Sequence, residues 1–107
     1  MAAALHYRIR IVIQSIKDQP TRKIFKLQGA EKIPQEVQRP ALRKLRILNN
    51  AVNLNDLRVP PNNQLRRMLG QRAGQYGIHV HEHWRLCFEW SDGQAYNVEV
   101  VEHKRNG

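Results

Sequence analysis

Residues 84–104 read WRLCFEWSDGQAYNVEVVEHK, two runs in which apolar and polar side chains alternate, with a turn sequence between them. An alternation of period two is typical of strands that pack one face on a core. These residues therefore predict a β-hairpin with one core face and one open face. The side chains expected on the core face are Trp84, Leu86, Phe88, Trp90, Tyr96, Val98 and Val100.

The length of the turn determines which residues of the hairpin face each other. A two-residue turn, Asp92-Gly93, would put Leu86 opposite Glu99 and mix the two faces. A three-residue loop, Ser91-Asp92-Gly93, keeps the faces apart, and a glycine in its last position suits the positive φ that such loops need. We expect the three-residue loop, because a one-residue slip would turn a whole strand to the wrong face. The expected pairs are Leu86 with Val98, Phe88 with Tyr96 and Arg85 with Glu99.

The chain carries a large excess of positive charge. Its 107 residues include 18 Lys and Arg against 9 Asp and Glu, a formal net charge of +9. Such a domain is drawn to polyanions such as RNA, and an acidic protein could use the same surface. A solvated basic surface without a dedicated partner is the alternative. The basic clusters are Arg39, Arg43, Lys44 and Arg46, then Arg66, Arg67 and Arg72, then Lys104 and Arg105.

Length and cysteine content bound the domain and its compartment. We expect one domain over residues 1–107, with residues 1–11 as an N-terminal extension that can join the first strand. Cys87 is the only cysteine, which favours a reducing compartment, and a lone strand cysteine is mostly a small hydrophobe. No stretch approaches the ~20 apolar residues of a membrane span, and the N-terminus lacks a secretory pattern. The expected location is the cytoplasm.

Two helices are predicted before the hairpin. The first covers about residues 20–28 and is capped by Asp18 or Thr21. The second covers about residues 34–50, where apolar side chains recur at helical spacing. Pro40 lies inside this second helix and is expected to kink or split it.

Further strands are expected over residues 8–16, near residues 64–69 and near residues 75–81. With the hairpin they would form a largely antiparallel sheet of four or five strands, and two helices on one of its faces make an α+β fold. The face left uncovered would be the binding surface. The first strand would contribute Ile9, Ile11, Val12 and Ile13 to the core.

Three strings carry a family resemblance. They are DLRVPP at residues 56–61, GQRAGQ at residues 70–75 and WRLCF at residues 84–88. With them, about residues 12–104 resemble the HigB-type branch of the RelE superfamily, the toxins of bacterial toxin–antitoxin modules. The resemblance implies a RelE-like domain that cuts messenger RNA on the ribosome and so inhibits translation. It also implies neutralisation by a HigA-like helix-turn-helix antitoxin, in a complex that can bind operator DNA.

The activity implied by the resemblance makes chemical sense for this residue set. RNA cleavage by its own 2′-hydroxyl needs a base, cations for the pentacoordinate phosphate and an acid for the leaving oxygen. Basic side chains can supply the positive charge, so no metal ion or other cofactor is expected. The resemblance implies that Arg85 stabilises the phosphate, a role that suits the paired hydrogen bonds of a guanidinium. The alternative is that Arg85 forms an ion pair with Glu99. The other catalytic candidates are Glu102, His103 and Lys104, and the candidate RNA contacts are Arg66, Arg67 and Arg72.

The chain departs from the family pattern at several positions. Many relatives have a histidine and a lysine around a Leu-x-Gly segment, where this chain has Arg66 and Leu69, and their terminal Asp-Tyr-His is here Glu102-His103-Lys104. His103 could act as a base near neutral pH, and Lys104 could supply charge. The alternative is a catalytically degenerate RNA- or protein-binding module on the same fold. A ribonuclease that acts without the ribosome is a weaker third possibility.

Histidines at positions 79, 81 and 83 form an H-x-H-x-H pattern that could suggest a metal site, because alternate strand residues share a face. In the family, residues 81–83 lie in a turn, which would make the three rings diverge. A solvated turn without a metal ion is therefore expected. Trp84 and Trp90 are expected in the core rather than stacked on bases, because they share the parity of the core residues.

Overall fold

Four strands form one antiparallel sheet in chain order, and two helices cover one of its faces. The structure, a computed structural model, describes residues 11–103. The predicted α+β fold is confirmed, and no helix within these residues is long and apolar enough to cross a membrane. The helices are α1, Gln19–Phe25, and α2, Gln35–Asn49, and the strands are β1, Arg66–Arg67, β2, Tyr76–His81, β3, Trp84–Ser91, and β4, Gln94–Glu102.

The β3–β4 hairpin has a two-residue turn, so the predicted three-residue loop is wrong. Ser91 pairs with Gln94, and the two residues between them, Asp92 and Gly93, have positive φ angles of 52° and 76°. Positive φ at both central positions is the type I′ geometry that Asp-Gly favours, because its twist matches the twist of the strands. Tyr96 consequently pairs with an exposed glutamate, Glu89, and not with a core residue as predicted.

A β-bulge in β4 restores the separation of the two faces beyond the turn. Two residues of β4, Asn97 and Val98, lie opposite the single residue Phe88. Asn97 adopts the left-handed conformation, with a φ of 53°, and the extra residue shifts the alternation of β4 by one position. The pairs beyond the bulge are Cys87 with Glu99, Leu86 with Val100, Arg85 with Val101 and Trp84 with Glu102.

The outer edge of β4 is covered by the chain segment that precedes α1 and by the first turn of α1. The carbonyl of Ser15 accepts a hydrogen bond from the Val98 N–H at 3.0 Å, and its hydroxyl accepts one from the Asn97 N–H at 2.8 Å. The buried hydroxyl of Thr21 accepts from the Val100 N–H at 2.8 Å. The donors at and beyond the bulge are therefore satisfied although no regular strand pairs there, which protects an edge that could otherwise pair with another chain.

The first strand predicted for residues 8–16 is reduced to isolated parallel bridges with β4, one of them at Ile13. The N-terminal part of that prediction, including Ile9, lies outside the described residues. Val12 and Ile13 are buried as predicted, but Ile11 is 65% exposed, so its assignment to the core is wrong. The bulge in β4 accounts for the broken pairing, because it interrupts the regular spacing of the partners.

Both helices lie where the sequence predicts them, with changed boundaries. Asp18 caps α1 by accepting a hydrogen bond from the Thr21 N–H at 3.1 Å, and the helix ends earlier than expected, at Phe25. Leu27 follows with a φ of 63°, which does not continue a helix. The 15-residue α2 runs through Pro40 without a break, so the predicted split does not occur. A proline removes only one backbone donor, and the packing of the buried face of α2 maintains the helix.

Lys44 belongs to the predicted basic surface but is buried, with 4% of the residue exposed. Its ammonium donates a hydrogen bond to Oδ1 of the buried Asn63. Nδ2 of Asn63 in turn donates to the carbonyls of Leu57 at 3.0 Å and Val59 at 3.3 Å. Burial and, to a smaller extent, the charge of Arg43 lower the pKa of Lys44. The lysine therefore ties the loop before β1 to α2 and places a cation beneath the surface.

Replacing Asn97 by valine is expected to destabilise the protein by about 1–2 kcal/mol, because a β-branched side chain is strained at positive φ. Asn97→Gly is expected to stay within about 0.5 kcal/mol of the wild type, since glycine accepts this conformation without strain. Glu102→Val, at an exposed and extended position of the same strand, is the matched control and should be neutral. Urea unfolding measures all three variants. An equal cost of valine at both positions would contradict the assigned role of the bulge.

Candidate active site

The face of the sheet that points away from the helices carries two rows of side chains. Residues directly opposite each other in an antiparallel pair share a face, so the register gives both rows. The first row is Arg66, Gly77, Cys87 and Glu99, and the second row is His79, Arg85 and Val101.

The first row is covered by the segment that follows β1. Gly77 and Cys87 are buried, and a Cβ added at Gly77 would lie 2.7 Å from Sδ of Met68. Glycine therefore lets the Met68 side chain pack against the sheet. Burial raises the pKa of the Cys87 thiol, which suits the small hydrophobe that the sequence predicted. The face predicted to be open is consequently open mainly around the second row.

An internal ion pair neutralises the carboxylate of the first row. Nη1 of Arg72 lies 2.7 Å from Oε1 of Glu99, which is 7% exposed, and Nζ of Lys17 lies 3.6 Å from the same oxygen. The hydrogen bond from Arg72 to Glu99 is the main cause of the raised pKa of that guanidinium. The pair considered in the sequence, Arg85 with Glu99, is not formed, because the bulge places Glu99 opposite Cys87. Arg72 is thereby held against the sheet.

Arg85 occupies the centre of the second row, on a strand with neighbours on both sides. It pairs with His79 of β2 and Val101 of β4. Its side chain is half-buried, and its Nη1 atom is shielded from solvent. Its position on an inner strand fixes the guanidinium more firmly than a loop would. The row therefore has a preorganised cation at its middle.

His79 is a half-buried residue among cations. Its pKa is lowered, first by burial and then by the positive charges around it. From the sequence, His79 was interpreted only as part of the H-x-H-x-H pattern. It was not predicted to be a residue of the site. Its two-residue spacing from Gly77 puts both residues on the same face of β2. The register of β2 and β3 was needed to show that His79 lies opposite Arg85. The residues whose charges lower the pKa of His79 lie on four elements: Arg85 on β3, Lys44 on α2, His81 on β2 and Arg66 on β1.

The two arginines of β1 point to opposite faces of the sheet. Arg66 pairs with Gly77 and belongs to the first row, while Arg67 pairs with Tyr76. The guanidinium carbon of Arg67 lies 5.6 Å from the centroid of the Tyr76 ring. Leu69, which replaces a lysine of many relatives, is 84% exposed beside these residues. Of the three candidate RNA contacts, Arg66 is the one beside the second row.

The C-terminal candidates are separated by the alternation of β4. Glu102 pairs with Trp84, which has the parity of the core residues, so it lies on the face opposite Arg85. His103 is exposed. Its backbone N–H donates to the backbone carbonyl of His83 at 2.6 Å, which extends the pairing of β3 and β4 by one residue. Because His103 is two residues after Val101, the alternation of β4 puts both on the same face of the sheet. Lys104 lies outside the described residues.

The three histidines of the H-x-H-x-H pattern do not form a common site. Strand β2 ends at His81, so the turn to β3 consists of residues 82 and 83 and not of residues 81–83 as expected. Within residues 11–103, no three His, Cys, Asp or Glu side chains come close enough together to hold a metal ion. Trp84 and Trp90 pack against the core as expected.

A second basic surface lies on the outer side of α2, across the molecule from the two rows. It is a groove of about 530 Å³ whose floor includes the partly buried Leu42 and Ile47. The exposed arginines Arg39, Arg43 and Arg46 line it. The positive charge of the described residues is therefore divided between the two sides of the sheet.

Comparison with known proteins gives the family of this architecture. A family model described as the RelE-like toxin of type II toxin–antitoxin system HigB matches residues 14–103. Toxin HigB-1 of Vibrio cholerae is 39% identical over 72 residues, which are 67% of this chain and 76% of that protein. An uncharacterized protein of Haemophilus influenzae is 31% identical over 75 residues, which are 70% of this chain and 74% of that protein.

A solved structure supports the fold. The crystal structure of a mutant of YafQ from E. coli superposes with a TM-score of 0.53 and 16% sequence identity. The match covers 86% of this chain and 92% of that one. The predicted HigB-type family is confirmed by the family model and the curated relative, and the predicted architecture by the shared fold.

Arg72→Met is expected to destabilise the protein by about 1–3 kcal/mol, because it leaves the nearly buried Glu99 carboxylate without its closest donor. Arg66→Met, at an exposed position of the same face, is the matched control and should change stability by less than about 0.5 kcal/mol. Urea unfolding of both variants measures the difference. Equal stability of the two would show that Arg72 is not needed to hold Glu99.

Proposed function

Because this chain belongs to the HigB-like family, the RelE-like toxins of type II toxin–antitoxin systems, we propose that it arrests growth by cutting messenger RNA on the ribosome. The observation that supports the proposal is the cationic patch around the second row, in which Arg85 lies opposite His79 and the charges of Arg66 and Lys44 act on the same histidine. Glu99, the carboxylate of the neighbouring row, is paired with Arg72 and Lys17. Such a patch attracts a phosphodiester.

The proposed reaction is attack of the 2′-hydroxyl on the adjacent phosphate without a metal ion. Arg85 would bind the non-bridging phosphate oxygens by paired, charge-assisted hydrogen bonds and stabilise their growing charge. Arg66, on the neighbouring row, would hold the backbone of the message. Cations that are fixed in advance cost little reorganisation during the reaction, which is why side chains can take over the electrostatic role of a metal ion.

The C-terminal candidates have unequal roles in this proposal. His103 would serve as a proton carrier at the rim of the site, since the two ring nitrogens of an imidazole can donate and accept a proton. Lys104 would add positive charge beside it. Glu102 lies on the opposite face, which favours no contact between its carboxylate and the phosphate. Arg67 would contribute from the far side of β1, and Arg72 mainly by holding Glu99.

A type II toxin has an antitoxin as its partner, and we propose a HigA-like helix-turn-helix protein whose complex with this chain binds operator DNA. The other partners would be the ribosome and its messenger RNA. An alternative is a domain that binds these partners and has lost cleavage, to which the exposed Leu69 in place of a lysine gives some support. Growth and cleavage measured together separate the two functions.

Arg85→Ala is expected to lower cleavage of ribosome-bound message about 10²–10³-fold, the usual effect of removing one preorganised charge-stabilising group. Induced wild-type chain should stop bacterial growth, and the Arg85→Ala variant should not. Primer extension maps the cuts, and thermal unfolding controls for the fold. Arg43→Ala, in the groove of α2, is the matched control and should cut normally. Growth arrest by a soluble wild type that makes no cuts would favour the binding module instead.

Ribosome binding is expected to weaken steeply with salt, since each Lys or Arg that neutralises a phosphate releases counterions. Arg66→Glu should reduce binding and flatten the salt dependence, because Arg66 lies beside the second row. Arg43→Glu makes the same change of charge on the other side of the sheet and should have a smaller effect. Sedimentation with purified ribosomes at several salt concentrations measures both. Equal losses for the two variants would mean that only the net charge of the chain matters.

A further inference from the structure

We propose that His79 is the general base of this site and takes the proton of the attacking 2′-hydroxyl. The inference rests on the proposed function and deepens it by assigning a proton transfer to a residue outside the C-terminal triplet. It starts from the pairing of β2 with β3, which puts His79 directly opposite Arg85 on the open face.

The register places His79 within reach of a phosphate held by Arg85. Directly opposed residues of an antiparallel pair have their Cβ atoms about 4.5–5.5 Å apart. Side chains that start from Cβ atoms this close can contact the same nucleotide, with the guanidinium on its phosphate oxygens and the imidazole on the neighbouring 2′-hydroxyl. Both residues are half-buried on neighbouring strands, so their mutual position is set by backbone hydrogen bonds and not by a loop.

The surroundings of His79 favour the neutral imidazole. Burial is the main cause of its lowered pKa, and the charges of Arg85, Lys44, His81 and Arg66 lower it further. Lys44 is a fixed part of this environment, because it is buried and bonded to Asn63. A base has to be unprotonated before it can act. The same cations that attract the phosphate therefore also prepare His79 to accept a proton.

His79 differs in kind from the arginines around it. A guanidinium group, such as those of Arg66 and Arg85, donates hydrogen bonds and has no acceptor atom. A neutral imidazole has one nitrogen that accepts a proton. His79 therefore adds a proton acceptor to rows whose arginines supply only positive charge.

The acceptor nitrogen of His79 takes the 2′-hydroxyl proton while the 2′-oxygen forms a bond to phosphorus. The bond from phosphorus to the 5′-oxygen then breaks, and that oxygen receives a proton from an acid at the rim, His103 or water. The products are a 2′,3′-cyclic phosphate and a free 5′-hydroxyl, and His79 returns its proton to solvent. No redox partner is involved.

The test is single-turnover cleavage of ribosome-bound message by the wild type and by His79→Gln across a range of pH. In the wild type the rate should fall as the pH drops through the pKa of His79, below the 6.5 of an ordinary histidine. His79→Gln should lower the rate about 10²–10⁴-fold, the usual contribution of general acid–base catalysis, and remove this acid limb. His83→Gln, at an exposed turn position, is the matched control and should keep both rate and limb.

A second variant tests the assignment without changing His79. Arg66→Gln removes one of the cations that lower the pKa of His79. The acid limb of the saturated rate should therefore move to higher pH, and the NMR titration of the His79 ring should move with it. A limb that stays in place while the His79 titration shifts would overturn the proposal, even if His79→Gln were too unstable to assay.

The outcomes also separate this inference from the proposed function. If His79→Gln cuts as fast as the wild type while Arg85→Ala is inactive, cleavage stands and His79 is not its base. If His79→Gln is slow but keeps the wild-type acid limb, the residue has only a structural role and the inference fails. If the wild type does not cut ribosome-bound message at any pH, the proposed function fails and the base assignment with it.

Discussion

The β-bulge at Asn97 is the constraint on which the rest of the sheet depends. The Asp92-Gly93 turn fixes a register that, continued without interruption, would bring core and open faces together. One extra residue in β4, held in the left-handed conformation, shifts the alternation so that Leu86 meets Val100. The hydroxyl of Ser15 accepts the displaced backbone N–H, so the bulge is satisfied from outside the hairpin. Turn, bulge and N-terminal segment are therefore one structural unit.

The bulge also decides where the charges go. It places Glu99 opposite Cys87, within reach of Arg72, and it leaves Arg85 opposite Val101. A register that paired Arg85 with Glu99 would have neutralised the central cation of the face by a cross-strand ion pair. Instead, the carboxylate is paired under the segment that follows β1. The charge of Glu99 is therefore compensated by Arg72 and Lys17 and not by Arg85.

The helix α2 behind the sheet also contributes positive charge to the surroundings of His79. Lys44 reaches the interior from α2 and is held by Asn63, so a cation that the helical pattern assigns to the surface acts on His79 from within. The other arginines of α2 line a separate groove on the far side. Residues 11–103 thus carry two basic surfaces with different surroundings, and of these two the surface with Arg85 combines cations with a half-buried imidazole.

The sequence by itself determined the hairpin, the two helices, the α+β class and the HigB-type family, because alternation, helical spacing and short motifs are local properties of the chain. It also predicted Arg85 as the main cation of the site. Only the tertiary structure decided the partner of Glu99, the burial of Lys44 and the membership of His79 in the site. The partner of Glu99 depends on the bulge in β4, the burial of Lys44 on the loop that carries Asn63, and the place of His79 on the β2–β3 register. Such choices depend on contacts between residues far apart in the chain, and no local pattern encodes them.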